Sequence, residues 1–184
     1  MARRMADESF RVEQEQARYA PHVRAINELV DQLRDPGGRG WMPYVAPWHG
    51  GVHARVLSVL RDPGPKTQDG VGSGFLCVEN DDPTAELQCR AFTEAGIDAH
   101  AVTPWNAYPW YINRAPNASE RQAGVDPLRR LTRQYGEILE HQRFQVVSTY
   151  HPGRQALWSR DPVVRAARAQ DRVHAYIRVA EGLR

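Results

Sequence analysis

The sequence predicts an α/β fold in which a mainly parallel sheet is covered by helices on both faces. Three observations carry this expectation. Short apolar runs alternate along the chain with amphipathic stretches of helical period. Three of those stretches open on Asp-Pro, which supplies an N-cap carboxylate and a proline already set for the first helical position. The length of 184 residues, with 41% hydrophobic and 25% charged side chains, suits one domain with a single core.

In chain order, residues 1–20 are polar and read as a frayed or loosely helical N-terminal segment, leaving 21–184 as the single domain. From Pro21 the positions Val23, Ile26, Leu29, Val30 and Leu33 form a helical stripe, stopped by Asp35-Pro36-Gly37-Gly38. After an aromatic, proline-punctuated loop, VHARVLSVL (52–60) reads as a buried strand and FLCV as a short apolar piece. Asp82-Pro83 starts a helix with Leu87, Ala91, Phe92 and Ala95 inward and Gly96 as its stop. HAVTPW (100–105) reads as a second strand. Asp126-Pro127 opens a helix carrying Leu128, Leu131, Tyr135, Ile138 and Leu139, and FQVVSTY (144–150) reads as a third strand. Asp161-Pro162 opens the last helix, with Val163, Val164, Ala167, Val173, Ile177 and Ala180 inward.

Composition narrows the function classes. Cys77 and Cys89 are too few for a disulfide framework, a zinc tetrad or a thiolate-held iron–sulfur cluster, so no metal or cofactor is expected. No run approaches the roughly 18 apolar residues of a membrane span, and the opening MARRMADESFRVEQEQ has no apolar core, so no secretory signal is expected. A cytoplasmic, reducing setting is the simplest reading. Net charge is +2, with Lys66 the sole lysine. That balance permits a nucleic-acid partner without requiring one.

Several local signals fail on inspection. GPKT (64–67) lacks the upstream glycine of a phosphate-binding loop. GVGSG (70–74) lacks the rest of a dinucleotide fingerprint. HGG (49–51) has no Gly-x-Ser-x-Gly elbow to serve. Three segments remain, each at the end of a predicted strand: LRDPGP (60–65), TPWNAYPW (103–110) and STYHPGRQ (148–155). Of the five Asp-Pro pairs, Asp62-Pro63 alone follows a strand into a Gly/Pro-rich loop, and ligands of open parallel sheets bind beyond the carboxyl ends of strands. Singly, Asp62 reads equally as a turn residue, Asn106 as an Asx-turn and His151 as a partly buried polar side chain. Together they bring a carboxylate, an amide and an imidazole to one sheet edge.

At these segments the chain resembles the uracil-DNA glycosylase superfamily. Leu60-Arg61-Asp62-Pro63-Gly64 stands for its first motif, Asn106 for the strand-end asparagine that reads the base, and His151-Pro152-Gly153 for the last motif. NRAPNASE (113–120) and the helix from Asp126 are similar to the corresponding stretch of the iron–sulfur branch, and the resemblance covers about residues 50–160. It implies a three-layer α/β/α sandwich around a central, mainly parallel four-stranded sheet. It also implies a DNA glycosylase acting on uracil, monomeric and associated with the nucleoid; the alternatives are a glycosylase for a C5-substituted or otherwise modified pyrimidine, in repair or anti-phage defence, and a catalytically weak DNA- or nucleotide-binding relative.

By the same resemblance Asp62 would stabilise the oxocarbenium-like sugar and orient water, and His151 would donate to the departing base at O2. Asn106 would read O4 and N3–H. Since the base must leave the stack, Phe75 is the candidate stacking ring, ahead of Trp105 and Tyr108. Arg154 and Gln155 follow the last motif where the family carries its wedge; Lys66, Thr67 and Ser148 are candidate phosphate contacts. Three departures stand out. The first motif lacks its leading glycine; Gly64 replaces a tyrosine that blocks C5 substituents in the most uracil-strict branch; Gly153 replaces a serine. The cluster-binding cysteines are also missing, so no iron–sulfur cluster is implied.

Overall fold

The computed structural model describes residues 3–35, 38–135 and 145–184 and is of mixed α/β class. Helices form where a cap and an apolar stripe coincide. α1 (Glu8–Gln16) is capped by Asp7, which accepts the Ser9 N–H at 2.8 Å. α2 (Pro21–Leu33) starts on its proline and buries Val23, Ile26, Leu29 and Val30. α3 (Pro83–Ala95) is capped by Asp82, accepting from the Thr84 and Ala85 N–H groups, and stops at Gly96 with φ of 73°.

α4 (Ala118–Ala123) was not anticipated. Asn117 and Glu120 cap it reciprocally, and it runs through Gly124 into α5 (Val125–Arg133). Asp126 therefore lies inside the first turn of α5 instead of capping it. Ile138, Leu139 and the start of the predicted 144–150 strand lie outside the described residues, as do Pro36 and Gly37. α6 (Arg154–Leu157) is short, and α7 (Pro162–Gly182) is capped by Asp161 through the Val163 N–H.

Four short strands are described: β1 (Tyr44–Val45), β2 (Val56–Leu60), β3 (Phe75–Leu76) and β4 (Val102–Asn106). β1 pairs parallel with β3, Tyr44 opposite Phe75. β2 pairs parallel with β4, from Val56 opposite Val102 to Leu60 opposite Asn106. The parallel character matches expectation, but the described strands form two sheets of two instead of one sheet of four. Pro43 and Pro47 bracket β1 and deny it further ladder donors, which keeps it two residues long. Residues 52–55 are not strand, since a 3₁₀ turn occupies Gly51–His53. Residues 145–150 carry no strand pairing, and Val146 is 88% exposed.

Two apolar clusters form the core. The larger joins the α2 stripe to Tyr44, Val45, Phe75, Trp105 and Leu131, and it includes Met5 and Phe10. The polar N-terminal segment is thus anchored from Met5 onward, a contribution that its low overall hydrophobicity conceals. The smaller cluster seats α7 on α3, with Phe92 and Tyr176 edge to face at 5.3 Å and Val102 of β4 beneath.

The inward face assigned to α7 needs correction. Ala175, Tyr176 and Ala180 are buried, whereas Val163, Val164, Ala167, Val173 and Ile177 are exposed. Tyr176 sets the packed stripe, and Ile177 lies one residue further round the helix, about 100° away. Among the described residues no helix is long and apolar enough to cross a membrane.

Candidate functional site

The carboxyl ends of β2 and β4 bring two of the three singled-out segments side by side. Leu60 lies opposite Asn106. Beyond the ladder the Ala107 N–H donates to Leu60 O at 2.8 Å and the Tyr108 N–H to Arg61 O at 3.0 Å. The α4–α5 junction backs this edge: a Cβ on Gly124 would collide with the Ala107 carbonyl oxygen. Glycine is needed there for close approach, because its φ of −74° is ordinary.

Asp62 is held at this edge with its side chain only 8% exposed, ion-paired through Oδ1 with Nε of Arg61, whose own side chain is 59% exposed. Asn106, on the adjoining strand, is buried at 1% exposure, and among the described residues its Nδ2 has no hydrogen-bond partner. A buried amide donor left unpaired costs about 1–3 kcal/mol.

The third segment places His151, exposed to solvent, near the first turn of α3, where Gly153 approaches Thr84 Oγ1. Its pKa lies below the ordinary histidine value, first because neighbouring groups desolvate the ring and then because of the Arg61 charge; the charges of Asp62 and Asp82 oppose the shift. The Gly153 N–H donates to Nδ1 at 3.1 Å. Nδ1 is therefore the acceptor of the neutral ring, and the proton resides on Nε2, free to be donated. A Cβ on Gly153 would stand 3.0 Å from His151 Nδ1 and 3.3 Å from Thr84 Oγ1, so a serine here would crowd the imidazole.

The remaining candidates fall in different places. Gly64 follows Asp62 by two residues with φ of −78°, and a Cβ there would meet nothing within 4 Å. The turn thus makes no use of glycine's freedom at positive φ; what glycine contributes is empty space. Phe75 is buried in the main core, its ring 6.2 Å from Tyr44. Asn80 donates from Nδ2 to Phe75 O at 2.9 Å and accepts from Ser73 Oγ at 2.6 Å, fixing the backbone around Phe75. Trp105 and Tyr108 are also buried core members. Arg154 and Gln155 are exposed on α6, immediately after the His151 motif, and Lys66 is exposed beyond Gly64, while Thr67 is buried and bonded to Gly64 O. Ser148 lines a separate open cavity of about 500 Å³ with Thr149, Tyr150 and the α7 residues Asp171, His174 and Arg178.

Sequence reasoning missed Arg61, read only as the filler of a motif, whose guanidinium pairs with Asp62; the adjacency Arg61-Asp62 was the available signal. Two titratable groups elsewhere are structural. Burial pushes the Cys77 thiol up to about 12, which removes it as a nucleophile. His49 is fully buried, with Nδ1 bonded to Ala99 O at 3.1 Å and Nε2 accepting the Val78 N–H at 3.3 Å. Among the described residues no group of three histidine, cysteine or acidic side chains is disposed to hold a metal ion.

No protein-family model matches the chain, and no curated protein matches it.

Proposed function

We propose that the protein is a monofunctional DNA glycosylase that hydrolyses the N-glycosidic bond of a flipped-out uracil and leaves an abasic site. The observation that carries the reading is the buried Asn106 amide, its Nδ2 without a hydrogen-bond partner among the described residues, on the strand adjoining the one that ends at the shielded Asp62 carboxylate.

Each group has a role that its environment supports. The departing sugar develops oxocarbenium character, and the Asp62 carboxylate, shielded from bulk water, stabilises that charge and orients the attacking water. The base leaves with negative charge on O2, and the neutral His151 ring, its proton on Nε2, donates to it. Asn106 Nδ2 donates to O4, which discriminates against cytosine, whose exocyclic amine is a donor at that position. Lys66, the sole lysine, is exposed outside this cluster, so hydrolysis by water is favoured over a Schiff-base route. The same reading takes DNA as the partner of a monomer, with Arg154 and Gln155 at the duplex and Lys66 and Ser148 on phosphates. Its fold is the full three-layer sandwich, in which residues 145–150 would join a single four-stranded sheet and deliver His151.

The open space at Gly64 favours a second substrate class, pyrimidines bearing a C5 substituent. Single- and double-stranded oligonucleotides carrying uracil, mismatched thymine or a 5-substituted pyrimidine decide between them through alkali-labile abasic sites. Uracil release supports the main reading, and release confined to the substituted bases moves the assignment to the second. DNA binding with no release from any substrate overturns both and leaves a binding protein.

A further inference from the structure

The segment that carries His151 is held to α7 by a row of arginines. Arg165, Arg168 and Arg172 stand at i, i+3 and i+7, within about 60° of arc on the helix. Each turns one Nη1 back onto that segment: Arg172 donates to Pro152 O at 3.0 Å, Arg168 to Trp158 O at 2.6 Å, and Arg165 to Ser159 O and Arg160 O. A carbonyl engages one of a guanidinium's five N–H donors and leaves its charge in place. Among the described residues none of the three is ion-paired with a carboxylate. Between Tyr150 and Arg172 five arginines stand against two aspartates, one of which, Asp161, is turned to the α7 N-terminus as its cap. That stretch therefore holds more positive charge than the net +2 of the whole chain.

Trp158 sits within this stretch, directly after α6. It is 64% exposed, whereas Trp105 and Trp110 are buried and Trp41 and Trp48 partly so. Its backbone is fixed on both sides: the N–H donates to Gln155 O at 3.2 Å, and the carbonyl accepts from Arg168. The ring is thus presented to solvent from a pinned backbone. We propose that Trp158, with Arg154, Arg160 and Arg165, forms a docking surface for a single-stranded nucleic acid, one base stacking on the indole and the phosphates meeting the guanidinium groups. A single strand supplies both things this surface calls for, a line of negative charges and open aromatic faces. A duplex supplies the charges but keeps its base faces stacked. Trp158 follows the His151 motif by one short helix, so the strand held here is the one flanking the base that enters the Asp62 site. That last assignment rests on the glycosylase reading; the surface itself does not.

The test uses the full chain as parent, Trp158→Ala, Trp158→Phe and the double variant Arg160→Gln/Arg165→Gln; all three side chains are exposed, so none of the substitutions is a folding risk. Fluorescence anisotropy follows binding to a labelled, uracil-free oligothymidylate, single-stranded or annealed to oligoadenylate. The parent is expected to prefer the single strand. Trp158→Ala should weaken that binding about tenfold with its salt dependence kept, and Trp158→Phe should retain most of it. The double variant should lower the slope of log affinity against log salt by about 1.4, at roughly 0.7 per lost phosphate contact. No binding by the parent, or parental affinity in Trp158→Ala, overturns the proposal. So does tighter binding of the parent to phosphatidylserine vesicles than to the oligonucleotide, or a dimer that Trp158→Ala abolishes while oligonucleotide affinity is unchanged. Uracil excision by the parent with parental thymidylate binding in Trp158→Ala sinks the surface and leaves the glycosylase reading standing. Absent excision with binding that depends on Trp158 does the reverse.

Discussion

Replacing Asn106 by alanine should leave the protein at least as stable as the parent while removing its recognition of the base. Asn106 is 1% exposed and its Nδ2 has no partner among the described residues, which for a buried donor costs about 1–3 kcal/mol. Truncation relieves that cost. Against it stands the lost packing of a small polar side chain, about 1 kcal/mol on the scale of a deleted buried methylene. The balance lies between no change and about 2 kcal/mol of stabilisation, visible as a rise of up to several degrees in Tm for a domain of this size. Urea denaturation measures the first quantity. Single-turnover excision measures the second, with a loss of about 10²–10³ expected when a preorganised donor is removed. Destabilisation by more than about 2 kcal/mol would show that Asn106 is a structural residue, and unchanged excision would remove it from the site.

Three further outcomes follow from the geometry. Gly64→Tyr is accepted by the backbone, whose φ is ordinary, and should suppress excision of 5-substituted pyrimidines by at least tenfold while sparing uracil, as a competition assay on paired oligonucleotides would read. Gly124→Ala drives a methyl into the Ala107 carbonyl oxygen, should cost about 1–3 kcal/mol by overpacking, and is checked by thermal unfolding. Burial lowers the His49 pKa to about 4, below the ordinary 6.5 that the unfolded chain would show. The unfolded state thus takes up the proton first, so the His49 contribution is complete above pH 6.5 and declines as pH falls toward 4; urea midpoints between pH 7 and 4.5 should fall less steeply in His49→Gln.

What the sequence made legible was what local chemistry decides. Asp82-Pro83 with Gly96, and Pro21 with its apolar stripe, delimit α3 and α2 because caps and breakers act within a turn of themselves. The juxtaposition of Asp62 and Asn106 was also legible, since both lie at the carboxyl ends of parallel strands. Long-range packing was not. Alanines and one tyrosine seat α7 on α3, so the larger valines and isoleucine pointed to the wrong face. Met5 and Phe10 enter the core from a segment too polar overall to suggest it. Arg61 reads in the sequence as turn filler, and its pairing with Asp62 shows only once the strand end is folded.

The role proposed for Asp62 on the sugar of an extruded uracil is decided by single-turnover release of uracil from a single-stranded oligonucleotide by the parent and by Asp62→Asn. The substitution keeps the shape and one acceptor oxygen while removing the charge. Uracil release by the parent, leaving an alkali-labile site, is expected, with a rate at least about 10²-fold lower in the variant and oligonucleotide binding retained. Release by Asp62→Asn at the parent rate would contradict it.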